Sequence, residues 1–156
     1  MRRKDREITD RKAIQAVIKK CHCCRLGFYD NGSVYIVPLS FGYEEVDGTD
    51  VFYFHGAPEG RKIDCIRTGG SVGFELDTGY ALHPAETACA YSAAFQSVIG
   101  TGRVSLIEGH EEKRHALRCI MAQYAHKSDW EFPQAALENV AVFRLEVTEL
   151  SCKAHV

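Results

Sequence analysis

Leu26 and Phe28 precede Asp30-Asn31-Gly32-Ser33, and Tyr35, Val37, Leu39 and Phe41 follow it with strict alternation. Asn-Gly takes the positive φ values that a tight hairpin turn needs, so this stretch reads as two antiparallel strands joined locally. Upstream, Thr9 or Asp10 can cap a helix that sets Ile14, Val17, Ile18 and Cys21 on one face. Downstream, residues 44–50 contain a second turn signal, Asp47-Gly48, and lead into Val51-Phe52-Tyr53-Phe54, whose aromatic and β-branched residues suit a strand.

Beyond that strand, Ala57-Pro58-Glu59 is expected to open a short helix containing Ile63 and Ile66, closed by Gly69-Gly70. Val72, Phe74 and Leu76 alternate as a strand, whereas residues 78–90 have no clear period. Residues 95–107 are rich in β formers interrupted by Gly100 and Gly102, the signature of a long strand that bends or bulges. Residues 111–125 place Leu117, Ile120, Met121 and Tyr124 on one face of the longest helix, and a last strand is expected over residues 140–147. This order lacks the regular alternation of a doubly wound parallel sheet. It fits an α+β, mainly β, antiparallel barrel with flanking helices.

At 156 residues, with 46% hydrophobic and 26% charged residues, the chain reads as one globular domain over residues 1–156. A net charge of −2 gives no bulk attraction to nucleic acid or anionic membrane. Residues 1–10 are charged and lack the apolar core of a signal peptide, and no run approaches the roughly 20 apolar residues of a membrane span. The expectation is a cytoplasmic protein with no membrane and no nucleic-acid partner. The odd count of seven cysteines fits reduced thiols better than a disulfide framework. Cys21-His22-Cys23-Cys24 offers soft donors. There is no second Cys-x-x-Cys pair and Cys21 falls on the apolar helix face, so no metal is assigned there.

The stretch Tyr53-Phe54-His55-Gly56-Ala57-Pro58-Glu59-Gly60-Arg61-Lys62 carries the chemistry. A strand runs into glycines and two adjacent cations at a helix start, where free N–H groups and the helix dipole favour an anion. Arg61 can grip two phosphate oxygens and Lys62 adds a compact charge; the alternative is a solvated cation pair. The stretch is not a P-loop, because the glycine spacing is one residue short and Ile63 stands where Ser or Thr is required.

Cys24-Arg25-Leu26-Gly27, the run from Tyr35 through Pro38-Leu39-Ser40-Phe41-Gly42 to Tyr43, Tyr53-Phe54-His55-Gly56 with Gly60-Arg61-Lys62, and Ser97-Val98-Ile99-Gly100 occur in this order. Together they resemble the nitroimidazole-resistance branch of the pyridoxamine-phosphate-oxidase-like flavoproteins. The resemblance implies a six-stranded antiparallel FMN-binding split barrel of Greek-key type, a homodimer, and FMN sites formed between protomers. By position it implies that Val37, Pro38, Leu39, Ser40 and Phe41 lie along the flavin and that Phe54 and His55 lie near its ring or ribityl chain. Gly60, Arg61 and Lys62 would hold the phosphate, and Gln96 and Ser97 would present polar groups to the cofactor. His55 is the candidate catalytic residue, since imidazole exchanges protons near neutral pH. Relatives often finish near a Gly-Lys pair, whereas this chain ends Ser151-Cys152-Lys153-Ala154-His155-Val156, and Cys152 is expected near a mobile end.

The expected function is an FMN-dependent reductase or oxidase. It would carry electrons from NAD(P)H or another carrier to a small organic acceptor, with a nitroaromatic as one candidate. The alternative is a non-catalytic protein that binds or stores flavin, or haem.

Overall fold

The computed structural model describes residues 3–125, 127 and 129–155. Met1, Arg2 and Val156, which belong to the terminal segments considered above, lie outside them. Asp10 caps the first helix, α1 (Arg11–Lys20), by accepting a hydrogen bond from the Ala13 amide at 2.8 Å. The early hairpin forms as β2 (Cys24–Asp30) and β3 (Ser33–Leu39), with Asn31 and Gly32 at positive φ in the turn. A two-residue strand, β1 (Glu7–Ile8), precedes α1.

Residues 44–50 hold more than a turn. β4 (Gly42–Val46) pairs with β5 (Thr49–Gly56) across Asp47-Gly48, making a second hairpin. Glu44 and Glu45 hid β4 in the sequence, because its outer positions are polar. The short helix α2 (Arg61–Thr68) begins at Arg61 and not at Ala57-Pro58-Glu59, since Gly60, at φ 119°, turns the chain into it. The aperiodic residues 78–90 begin inside a long strand. β6 (Ser71–His83) continues through a register shift between Thr78 and Ala81, where Gly79 takes φ 67°.

β7 (Ser92–Ile107), α3 (His110–Ala125), the short α4 (Gln134–Glu138) and β8 (Ala141–His155) complete the chain. β7 and β8 pair from Phe95↔His155 to Ile107↔Val142, with a register shift at Thr101/Gly102, where the glycines announce a bulge. The Thr148 hydroxyl donates to the Thr101 carbonyl at 3.1 Å across this irregularity. β8 therefore extends eight residues past the expected end at 147. Cys152 is buried in a ladder between β7 and β1 instead of lying at a mobile end.

All pairings are antiparallel, in the order β3-β2-β6-β7-β8-β5-β4 with β1 added on β8. The sheet curls into an open, split barrel, so the α+β split-barrel expectation holds. Eight strands are paired, β1 and β4 being additions to the six implied by the resemblance. The barrel interior holds Leu26, Phe41, Phe52, Phe54, Phe74, Leu76, Val98, Phe143 and Leu145, with Ile18 of α1 and Ile63 of α2 packed into it. α3 covers the other face of β5 and β8, where Ala116 and Ile120 meet Val51, Tyr53 and Val142. Among the described residues no helix is long and apolar enough to cross a membrane.

The fit of α3 depends on Gly42. A Cβ there would lie 2.5 Å from the Ile120 amide nitrogen and 2.6 Å from the Cys119 carbonyl carbon, both rigid backbone atoms. Gly42→Ala is therefore expected to destabilise the fold by about 1–3 kcal/mol, as overpacking does. Urea unfolding should record this as a lower midpoint at unchanged slope.

Candidate functional site

β5 delivers His55 and Gly56 to one end of the barrel, and the loop through Gly60 brings the start of α2 back against them. No side chain caps α2 at Gly60; the Gly60 carbonyl accepts from the Ile63 and Asp64 amides at 2.8 and 3.1 Å, and the Arg61 and Lys62 amides form the open start of the helix. The Lys62 side chain folds over Gly56, and a Cβ on that residue would stand only 2.6 Å from Nζ. A glycine at 56 thus makes the seat for the ammonium group, which also lies 6.0 Å from the Phe143 ring centroid.

Half-buried Lys62 is held below its ordinary pKa by loss of water, yet no carboxylate among the described residues forms an ion pair with it. A partly desolvated cation with no counter-ion is an anion site in waiting. Arg61 differs. Its Nε donates to Asp30 Oδ2 at 2.7 Å and its guanidinium carbon sits 4.4 Å from the centre of the Tyr35 ring. Asp30 offsets part of its charge and Tyr35 fixes its plane, so Arg61 is oriented while Lys62 supplies the uncompensated charge. The sequence places Asp30 in a turn and Tyr35 in a strand but assigns neither to the site, because the β2–β3 turn meets α2 only in the folded barrel.

His55 is exposed, and its imidazole makes no hydrogen bond among the described residues. Partial desolvation first, and the Lys62 charge second, hold its pKa below 6.5. Both causes favour the neutral imidazole.

The other positions divide. Val37 and Leu39 turn inward and pack against the core, while Pro38 is exposed on the outer face of β3 beside Val34 and Ile36, and Ser40 is exposed just past the strand's end. Phe41 and Phe54 are wholly buried, Phe54 stacked on Phe143 at 5.2 Å between ring centroids. Neither side chain reaches the surface of the single chain, so at these two positions it is the backbone that faces outward. Gln96 and Ser97 are half-buried in β7.

Register separates these groups. His55 pairs with Val142, whereas Gln96 pairs with Ala154, near the other end of β8. At about 3.3 Å per residue the two positions stand roughly 40 Å apart along an unbent strand. A single chain therefore does not bring Gln96 and Ser97 to the Lys62 corner. Ser97 instead faces Lys153 across the ladder, whose Nζ lies 5.3 Å from the Phe95 ring centroid.

Between the two ends runs a flat outer face. Gly27 and Gly73 lie opposite each other in register beside Ile36, with Arg25 and Glu75 completing a shallow cavity of about 370 Å³. A Cβ on Gly27 or Gly73 would find its nearest neighbour at 3.8 or 4.0 Å, so internal packing leaves room for side chains at both. Ile36 and Val34 are 62% and 72% exposed on this same face.

The electrostatics give a direct test of the corner. The His55 resonance should titrate below 6.5 by NMR, and Lys62→Ala should move it upward by removing one of the two causes. The unfolded chain binds this proton more readily, so the His55 contribution lowers stability as pH falls through about 6.5 and levels off below the folded value. An unmoved titration in Lys62→Ala would separate the two side chains.

Comparison with known proteins yields a consistent set. The family described as Pyridoxamine 5'-phosphate oxidase matches residues 10–154. A candidate 5-nitroimidazole antibiotic resistance protein from Bacteroides thetaiotaomicron is similar at 34% identity, over 95% of this chain and 86% of that one, with a TM-score of 0.81. A flavocytochrome from Azotobacter vinelandii shares the fold at TM-score 0.80 and 22% identity, over 100% of this chain and 72% of that one. An FAD and haem binding protein from Mycobacterium smegmatis shares it at TM-score 0.79 and 15% identity, over 96% and 73%. No match was found among curated proteins.

Proposed function

The chain belongs to the pyridoxamine 5'-phosphate oxidase family, in its nitroimidazole-resistance-like branch, and from that premise we propose that it binds FMN and works as a flavin-dependent oxidoreductase. The observation that carries this reading is the half-buried Lys62 ammonium over Gly56, beside an uncapped helix start and without a carboxylate partner among the described residues. The chemistry of that corner fits a terminal phosphate. Lys62 and the α2 amides hold it, and Arg61, aimed by Asp30 and Tyr35, adds directional donors. Bound flavin supplies the hydride and electron transfer between NAD(P)H, or another carrier, and a small organic acceptor such as a nitroaromatic.

The protein's own part is to bind, orient and handle protons. Reduction of an acceptor by NAD(P)H consumes protons, and His55, whose environment favours the neutral imidazole, takes one up from water and delivers it towards the reduced acceptor. Exposed Pro38 on β3 and Ser40 just past its end continue the site. The distance of Gln96 and Ser97 from the Lys62 corner supports a site completed by a second copy of the chain. The exposed Ile36 and the unoccupied space above Gly27 and Gly73 offer a flat face for that copy. The seven free cysteines suit a reducing, cytoplasmic setting.

Riboflavin lacks only the phosphate, so it separates the reading from general flavin affinity. Lys62→Ala should weaken FMN by about 10- to 100-fold, the worth of a charge-assisted contact, and leave riboflavin nearly unchanged. Arg61→Ala should cost less because Asp30 already engages it; equal losses of both ligands would sink the phosphate assignment. His55→Ala should keep FMN yet slow turnover with NAD(P)H and a nitroaromatic acceptor, while unchanged turnover would make it a bystander.

For the shared site, light scattering should give a dimer for the native chain. Gly73→Arg should shift it toward monomer, because a Cβ at 73 finds its nearest neighbour only at 4.0 Å and the long side chain would stand on the face offered to the second copy. A native monomer would remove this part of the reading.

A further inference from the structure

On the face of β5 opposite the barrel interior, α3 carries His115 and Cys119 four residues apart, which puts both on one side of the helix. β4 brings Glu44 beneath them, held close because Gly42 has no side chain to push α3 away. The three donor atoms lie within 4.8 Å of one another. His115 Nε2 is 2.6 Å from Glu44 Oε1 and 3.6 Å from Cys119 Sγ.

Zinc bound to sulfur at about 2.3 Å and to nitrogen and oxygen at about 2.0–2.2 Å keeps neighbouring donors roughly 3–4 Å apart in a tetrahedron. The His115–Cys119 spacing already meets this, and the Glu44 carboxylate needs to retreat by less than about 1 Å. A thiol, an imidazole and a carboxylate form a mixed set of borderline softness that suits zinc over calcium or magnesium, which take oxygen donors.

The surroundings are arranged as a metal's outer contacts are. The Tyr53 hydroxyl donates to Glu44 Oε1 at 2.6 Å, and its ring meets His115 edge to face at 5.8 Å, fixing both ligands. Beside His115 opens a cavity of about 290 Å³, lined also by Tyr53, Glu111, Glu112 and Arg144, where a fourth ligand has room. We propose that Glu44, His115 and Cys119 form a zinc site, with three protein donors and a fourth position open to water, that ties α3 to β4. The proposal does not depend on flavin binding. Tyr53 and His55 share one face of β5, so the site lies on the same side of the strand as the candidate catalytic histidine.

The test uses the full chain stripped of metal with a chelator. Titration against a chromophoric chelator should give one tight zinc per chain, and the cobalt form should show sulfur-to-cobalt charge-transfer absorption. Cys119→Ser should abolish that absorption, and His115→Ala should weaken zinc by more than about 100-fold, beyond the 10- to 100-fold expected of the outer-contact change Tyr53→Phe. Cys89→Ser, an exposed cysteine remote from the cluster in sequence, should change neither. Circular dichroism on each variant separates loss of a ligand from loss of fold, and the native cobalt spectrum stands whether or not the variants fold. No tight zinc in the native chain, or no thiolate absorption with cobalt, would reduce the cluster to a hydrogen-bonded clasp. Zinc retained by both His115→Ala and Cys119→Ser would place it elsewhere. Either result overturns the proposal.

Discussion

The antiparallel ladder between β7 and β8 is the constraint to which the other elements attach. It runs from Phe95↔His155 to Ile107↔Val142, with β6 added on one side and β5 and β1 on the other. Strands this long must bend to enclose a core, and the Thr101/Gly102 irregularity relieves the ladder where it bends. Gly100 has the same origin in packing. A side chain there would strike the Phe74 ring at 2.6 Å, so its absence lets that ring lie beneath β7.

Two hairpins end the sheet, β2–β3 on one side and β4–β5 on the other, and α3 closes the gap by contact instead of by pairing. The Tyr124 hydroxyl accepts from the Phe41 amide at 3.0 Å and donates to the His22 carbonyl at 2.9 Å, joining the β3–β4 corner to the end of α1. Gln123 donates to the Cys21 carbonyl at 3.0 Å in the same place. At the other end of α1, Arg11 reaches Asp50 at 2.7 Å, giving that buried carboxylate the partner its desolvation requires. Polar contacts of high sequence separation thus fix the split edge, which strand pairing leaves open.

The charged corner follows from this frame. Lys62 gives up part of its water to lie over Gly56, and no carboxylate among the described residues offsets that cost. Asp30 binds Arg61 and so keeps the neighbouring cation from competing for the same geometry. The cation pair adjacent in sequence is therefore unequal in space, one member compensated and aimed, the other uncompensated.

What sequence alone determined was everything governed by local period and turn chemistry. The Asn31-Gly32 hairpin, the apolar face of α1, the bulge around Gly100 and Gly102, α3 and the cationic start of α2 were all legible, because each depends on residues within one or two turns of chain. The order of motifs added the family and its split barrel. β4 and the second half of β8 were not legible. Lys153 and His155 are polar residues made into strand by the backbone of β7 and β1, a distant hydrogen-bond demand that leaves no periodic trace, whereas β4 pairs locally with β5 and was hidden by the polar Glu44 and Glu45. Only tertiary structure decided that Phe41 and Phe54 turn inward, that Asp30 and Tyr35 hold Arg61, and that Gln96 and Ser97 stand far from Lys62. It also brought Glu44 to His115 and Cys119, whose four-residue spacing is visible in the chain but incomplete without β4. Those facts depend on which faces meet across the barrel, and a one-dimensional pattern records only which residues share a face.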